Sequence, residues 1–290
     1  MSAAAMFAHL LLERLPGRAP PRLPEPCAVM EDAAQVDAFC SGGADDGVLA
    51  PVYHYHALQA GAAIRPGSRV LDLGCGPGNQ LLHLARLHPA AQFVGIDASR
   101  PMLLRARRTL DAGGACGVEL QHGDLTALRA LPDASFDCVV CTLSLHHLPD
   151  ACALHRAARE MTRVLKPGGG VYVADFGRLR RAATQRHFAH QRAAEQGPTF
   201  TADYFNSLRA AFSVAELDAA LAALGPGLRR HQTALAPFMV VYRRGVQGDG
   251  TAQARADVAW ARLTPAQRRD CRALAAWFAV GGLALPASLR

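Results

Sequence analysis

The segment Val70-Leu71-Asp72-Leu73-Gly74-Cys75-Gly76-Pro77-Gly78-Asn79 constrains the fold more than any other stretch of this chain. A short apolar run ending in glycines reads as a buried strand. The glycines then allow a sharp turn and a close approach of backbone to ligand, because no Cβ intrudes. A helix expected over Gln80 to Leu87 offers unpaired N–H groups at its start. Asp72, at the strand end, repels a pyrophosphate and attracts a cation or an amine.

A dinucleotide fingerprint reads G-x-G-x-x-G, with an acid about 20 residues further on. Here Asn79 stands in the place of the third glycine. Phe93-Val94-Gly95-Ile96-Asp97 reads as a second strand, and Asp97 follows Gly78 by 97 − 78 = 19 residues. That distance suits a carboxylate holding ribose hydroxyls. The site calls for a ribose and a positive group, with no phosphate signature.

Strands and helices alternate from this point, which implies a parallel sheet covered by helices. Strands are expected at Arg69–Leu73, Gln92–Asp97, Val118–Gly123, Phe136–Thr142 and Gly170–Asp175, and helices at Gln80–Leu87, Arg100–Ala112 and Ala151–Val164. Phe176 to Phe212 is a polar, arginine-rich insertion. Ser213-Val214-Ala215-Glu216 is a capping box opening a helix to Leu224, which Gly225 stops. Leu228–Leu235 and Pro237–Arg243 read as a final antiparallel pair, followed by a loop at 245–250. Helices near Ala252–Arg262 and Pro265–Val280 close the chain, the second with Thr264 as N-cap. Ahead of the first strand lie a short helix over Met1–Leu15, a proline-rich linker or arm over Pro16–Pro26, a helix near Met30–Phe39, a Ser41-Gly42-Gly43 break and a helix over Leu49–Ala63. The division expected is an N-terminal extension (1–48), a main domain (49–245) with an insertion at about 176–212, and a C-terminal helical extension (246–290).

The 290 residues suffice for one large α/β domain with additions. The net charge of +7 is carried mostly by arginine, Lys166 being the sole lysine. Nucleic-acid surfaces combine clustered basic residues with stacking aromatics. Aromatics are 6% here, so no nucleic-acid partner is expected. The eight cysteines form no dense framework, and Cys138 and Cys141, on one expected buried strand, read as core. No metal site is expected. No run reaches transmembrane length, so no membrane partner is expected and a reducing cytoplasm is the default.

Four motifs in order resemble those of the class I S-adenosylmethionine-dependent methyltransferases, over roughly Tyr53 to Arg244. Val70 to Gly78 looks like motif I and Gly95-Ile96-Asp97 like motif II. Gln121-His122-Gly123-Asp124-Leu125 resembles the adenine-side motif, and the run from Ser135 to Leu148 resembles motif IV. Val164-Leu165-Lys166-Pro167-Gly168-Gly169 is similar to the turn before the fifth strand. The resemblance implies a doubly wound, Rossmann-like, seven-stranded and mostly parallel sheet with an antiparallel last strand, and S-adenosylmethionine as cofactor. It places Asp72, Gly74, Cys75, Gly76, Gly78, Asp97, Ala98, Met102, Gly123, Asp124, Leu125 and Leu143 around that cofactor. Asp72 suits the amino group, Asp97 the ribose hydroxyls and Asp124 the adenine amino group.

Methyl transfer is an in-line displacement in which the cofactor carries the activation, so the protein aligns the reactants and excludes water. The acceptor expected is a small molecule, with the attacking atom (O, S, N or C) open. His146 either acts as general base or orients the acceptor, or merely caps its strand. His147 points to the opposite side if the strand continues. Tyr53 and His56, on the helix before motif I, either line the pocket or pack. Arg178, Tyr204, Asn206 and Arg209 belong to the insertion, which resembles an acceptor lid. Its arginines suit an anionic acceptor or a solvated face. An RNA or protein methyltransferase, and a non-catalytic cofactor-binding scaffold, stand as alternatives, and a homodimer is open.

Overall fold

The computed structural model describes residues 3–44, 47–246 and 251–283. Most of the expected loop at 245–250 therefore lies outside the described residues. Its strands are β1 (Arg69–Leu73), β2 (Gln92–Asp97), β3 (Val118–His122), β4 (Phe136–Thr142), β5 (Leu165–Phe176), β6 (Arg229–Gln232) and β7 (Met239–Arg244). They form one seven-stranded sheet in the order β3-β2-β1-β4-β5-β7-β6. The ladders from β3 to β5 are parallel, and β7 runs antiparallel to both β5 and β6.

The order reverses at β1, where the chain turns from building one half of the sheet to the other, and ligands collect outside strand C-termini at such a point. Successive strand residues face opposite layers. Val70, Phe93, Cys138, Val140 and Tyr172 enter one core, while Leu71, Leu73, Val94, Val139, Cys141 and Val173 enter the other. The first layer is covered by α3 (Ala50–Gly61), α4 (Asn79–Leu87) and α12 (Pro265–Ala279), and the second by α6 (Ala151–Val164) and α10 (Val214–Leu221). In α6 the buried residues Leu154, Ala157, Ala158 and Met161 recur at helical spacing, and Asp150 caps it by accepting from the Ala153 N–H at 2.7 Å. The capping box expected at Ser213 opens α10, and the N-cap expected at Thr264 opens α12, where Gln267 completes a second box. Cys138 and Cys141 are fully buried core residues with free thiols. Trp260 and Phe278 are buried, with the Phe278 ring stacked on Tyr55 of α3.

One local reading is corrected, and two stretches left open by the sequence are placed. The helix expected over Met30–Phe39 is α2 (Ala33–Gly43), which runs through the Ser41-Gly42-Gly43 break and starts at the Asp32 cap. The insertion after β5 folds into α7 (Ala182–His190), α8 (Ala193–Gln196) and α9 (Pro198–Ala210), with α5 (Arg100–Ala112) lying earlier in the chain. The proline-rich stretch is docked rather than free. Leu23 N–H donates to Arg209 O at 3.1 Å. Arg22 donates to the carbonyls of Ala210, Pro149, His146 and Leu148, and its guanidinium lies 3.9 Å from the centre of the Phe212 ring. Upstream, α1 (Ala3–Arg14) is fastened by Glu13, whose carboxylate accepts the N–H groups of Arg180 and Arg181. No helix among the described residues is long and apolar enough to cross a membrane.

Candidate functional site

A cleft opens at the C-terminal ends of β1, β2 and β4, lined by Asp72, Gly74, Cys75, Gly76, Gln80, Asp97, Ala98, Met102, Leu125 and Leu143 among others. Gly74 adopts φ +67°, and a Cβ there would come within 2.2 Å of Ser144 Oγ. Only glycine fits that turn. Asp97 is fixed by two backbone donors, Gly76 N–H to Oδ2 and Ser99 N–H to Oδ1, each 2.8 Å. The carboxylate thus sits aimed across the turn with spare acceptor capacity on both oxygens. Burial raises its pKa, and the backbone bonds oppose that shift.

Asp72 is buried, at 3% exposure. Burial, with the nearby Asp97 charge second, pushes its carboxyl up to about 7. Beside it, Gln80 donates to Thr142 Oγ1 at 2.8 Å, while its Oε1 is buried without a hydrogen-bond partner. A desolvated carboxyl and an orphaned acceptor together form a cradle for a cationic, hydrogen-bond-donating group. The residues fit a ligand that carries an ammonium and a ribose.

The cleft is small, about 130 Å³, against roughly 300–1,000 Å³ for drug-sized ligand pockets. Ala28, Val29, Met30 and Phe39 cover it, and Ser99 Oγ donates to Met30 O at 2.5 Å. A ligand with an amino acid, a ribose and a base requires this covering segment to shift.

The remaining cofactor-side expectations fall differently. Gly78 stands at the αL N-cap of α4 against Ala106, outside the cleft lining. Gly123 donates its N–H to Asp97 O at 3.1 Å. Asp124 is exposed, its carboxylate accepting from Thr126 N–H at 2.7 Å. Neither residue lines the cleft, though Leu125 does.

A second cavity, about 430 Å³, lies beyond the first. Its walls are mainly apolar and aromatic, including Met30, Phe176, Phe188, Tyr204, Phe238 and Trp277. Phe188 and Phe238 stack with centroids 4.3 Å apart. Met30, Phe39, Leu143 and His147 line both cavities, so these four form the partition between them. Leu143 takes φ +55° there, the strain of a non-glycine residue at the point where β4 ends.

His146 lines the second cavity and is buried. Its Nδ1 donates to Asp175 Oδ1 at 2.7 Å. Asp175 also accepts the N–H groups of Leu145, His146 and Phe176, so it is a fixed carboxylate that holds the ring. Burial lowers the His146 pKa, but Asp175 and Glu25 outweigh that and the net shift is upward. Glu25 comes from the docked arm. Ser207 Oγ donates to its Oε1 at 2.6 Å, His147 Nδ1 stands 2.9 Å from its Oε2, and His146 Nε2 stands 3.7 Å from its Oε1. Burial raises the Glu25 pKa, but the two histidines and Ser207 hold it at about 2. Nitrogen or oxygen atoms of Glu25, His146 and His147 lie within 4.8 Å of one another, a donor set capable of holding a metal ion.

Several acceptor-side expectations are corrected. His147 does not diverge from His146, because β4 stops at Thr142 and residues 145–147 form a 3₁₀ turn; the two rings are 4.3 Å apart. His56 is fully buried in the core, its Nδ1 2.6 Å from Tyr172 Oη, and lines neither cavity. Tyr53 lines the small cleft rather than the large cavity. Tyr204 does line the large one. Arg178 pairs with Glu216, and Arg209 lies 5.3 Å over the Phe205 ring. Neither they nor Asn206 line a cavity. Arg192 lines the large cavity but is paired with Glu195 and Asp270.

Sequence reasoning missed Glu25, Ser207, Gln80 and the arm. Asp175 lies one residue from the end of β5 and Asp97 ends β2, and that parallel was a usable signal. Glu25, in a proline-rich stretch, carries no local signal.

Residues 70–169 match the family model described as a methyltransferase domain. The chain is 37% identical over 114 residues to 27-O-demethylrifamycin SV methyltransferase of Amycolatopsis mediterranei, covering 39% of this chain and 40% of that protein. It is 33% identical over 137 residues to a ubiquinone biosynthesis O-methyltransferase of Xanthomonas campestris pv. campestris, covering 46% and 55%. A crystal structure of a SAM-dependent methyltransferase from Aquifex aeolicus shares the fold at a TM-score of 0.53 and 20% identity, covering 73% of this chain and 98% of that one. The matched segments span between 31% and 55% of the curated relatives' lengths.

Proposed function

We propose, for a chain whose residues 70–169 belong to the methyltransferase-domain family, that it transfers a methyl group from S-adenosylmethionine to a small, largely apolar acceptor. The observation that carries this reading is the shared partition. A polar cleft with Asp72, Gln80 and Asp97 and an apolar cavity meet at Met30, Phe39, Leu143 and His147. In-line displacement needs donor and acceptor on opposite sides of one such wall, with water kept out.

The cofactor, when bound, supplies a methyl group on a sulfonium, already activated for displacement. Asp72 and Gln80 Oε1 would hold its ammonium, and Asp97 its ribose hydroxyls. Asp124 stays with the adenine edge in this reading, reached when the segment covering the cleft withdraws. The apolar side chains of the larger cavity hold the acceptor, and His146, His147 and Glu25 are the polar groups at its reactive end. His146 is steered by Asp175, so its Nε2 faces the cavity. This cluster takes up an acceptor proton or holds the deprotonated atom. Oxygen is the nucleophile we favour, because the names of the two curated relatives include O-methyltransferases. The acceptor is uncharged in this reading, since each insertion arginine assigned to it has another partner. The eight free thiols suit a reducing cytoplasm.

Calorimetric titration with S-adenosylmethionine, S-adenosylhomocysteine and NADH tests the assignment. Micromolar binding of the two adenosyl compounds and none of NADH is expected. Absence of adenosyl binding would leave a non-catalytic scaffold as the better description.

A further inference from the structure

We infer that Glu25, His146 and His147 form a binding site for a divalent transition-metal cation at the reactive end of the acceptor cavity. The three residues come from the arm and from the turn after β4, and all line the same cavity. Two imidazoles and one carboxylate with an open fourth position are a donor set that zinc and its neighbours accept.

His147 Nδ1 lies 2.9 Å from Glu25 Oε2, within ion-pair distance. His146 Nε2 stands 3.7 Å from Glu25, beyond hydrogen-bond reach. Donors held about 2.0–2.2 Å from one tetrahedral centre stand roughly 3.3–3.6 Å apart. The observed 2.9 and 3.7 Å, which run to Oε2 and Oε1 of Glu25 respectively, fall on either side of that edge.

The outer partners point the same way. Ligating histidines usually donate their other ring N–H to a carboxylate, which fixes the tautomer and the ring. His146 does so to Asp175, itself held by three backbone N–H groups. The Nε2 lone pair is thereby turned toward Glu25. The Glu25 carboxylate is oriented in turn by Ser207 at 2.6 Å. The open position faces the acceptor cavity, where an acceptor oxygen would become the fourth ligand. Only that last use rests on the methyl-transfer reading; cation binding does not.

The full-length protein, stripped with a chelator and dialysed, is titrated with Zn²⁺, Co²⁺ and Mn²⁺ chlorides by calorimetry. One equivalent should bind with micromolar or tighter affinity, and the Co²⁺ form should show visible ligand-field absorption. Glu25→Gln and His147→Ala should each weaken binding by at least about tenfold, as loss of even an outer partner does at such sites. Their melting curves without metal report whether each variant folds, and the Co²⁺ spectrum of the unaltered protein decides the matter if one does not. His9→Ala, at the stacked His9–His187 pair, should leave binding unchanged. Absence of stoichiometric binding, or binding indifferent to Glu25→Gln and His147→Ala, overturns the proposal. S-adenosylhomocysteine binding in the same samples reports separately on the cofactor cleft: its loss with cation binding intact sinks the methyl-transfer reading alone.

Discussion

The cofactor cleft and the acceptor cavity share a wall but are built by opposite strategies. The cleft arises from contiguous strand–turn–helix units, in which β1 and β2 each carry an acid within their last two residues and the next helix starts within about six residues. Its geometry is set by backbone: Gly74 at φ +67°, and Asp97 held by two N–H groups. The cavity is gathered from the arm, the turn after β4, α7, α9, β7 and α12. Its shape depends on side-chain packing between segments far apart in the chain. A site made of backbone turns tolerates packing changes elsewhere, whereas a site made of packed side chains does not.

The largest expected effect breaks the packed half alone. Phe188→Ala removes a ring stacked 4.3 Å from Phe238 and should cost about 3–5 kcal/mol of stability. Chemical denaturation checks this, and S-adenosylhomocysteine affinity in the folded fraction should hold. The converse change is Asp97→Ala. It should weaken S-adenosylhomocysteine about a hundredfold, near 2.8 kcal/mol, and also lower the melting point because two N–H groups lose their acceptor. Unchanged affinity by calorimetry would remove the ribose assignment.

Asp72 sharpens the comparison through pH. Its folded-state value of about 7 lies above the unfolded value of about 3.9. The stability gained from its neutral form is therefore fully present below about pH 4 and lost as the pH rises through 7. Asp72→Asn should raise the ligand-free melting point at pH 8, by up to roughly 2 kcal/mol of stability, while weakening the amine-bearing ligand. In the unaltered protein, affinity for that ligand should fall about tenfold from its high-pH plateau by pH 6. A flat profile would show that Asp72 does not meet the ammonium. The smallest effect belongs to Arg178→Ala and Arg209→Ala, whose partners lie outside both cavities. Acceptor KM should stay within about twofold, as for other partly exposed charges. A steep rise in KM would restore the arginine-lined acceptor lid.

Legibility followed the same division. The alternation of elements, the capping box at Ser213, the N-cap at Thr264, and the core placement of Cys138 and Cys141 were readable, because each depends on neighbours within a few residues. So was the juxtaposition of Asp72 and Asp97, which strand-end positions on adjacent parallel strands enforce. His147 was misjudged because alternation was carried past the last strand residue. His56 was misjudged because a helix has several faces and only the partner, Tyr172, shows which one it buries against. Tyr204 was placed in the cavity, while its neighbours Asn206 and Arg209 turn away from it.

By itself, the sequence determined the alternation of strands and helices, the acids near the ends of β1 and β2 and the glycine turn between them. Those features follow from local backbone rules and the two-residue period of a strand. Only the tertiary structure decided that the proline-rich arm returns to the site, that Arg22 fastens it to four carbonyls, and that Glu25 thereby reaches His146 and His147. Nothing in a proline-rich stretch specifies where it docks; that is settled by which carbonyls, rings and apolar surfaces the finished sheet leaves exposed to it.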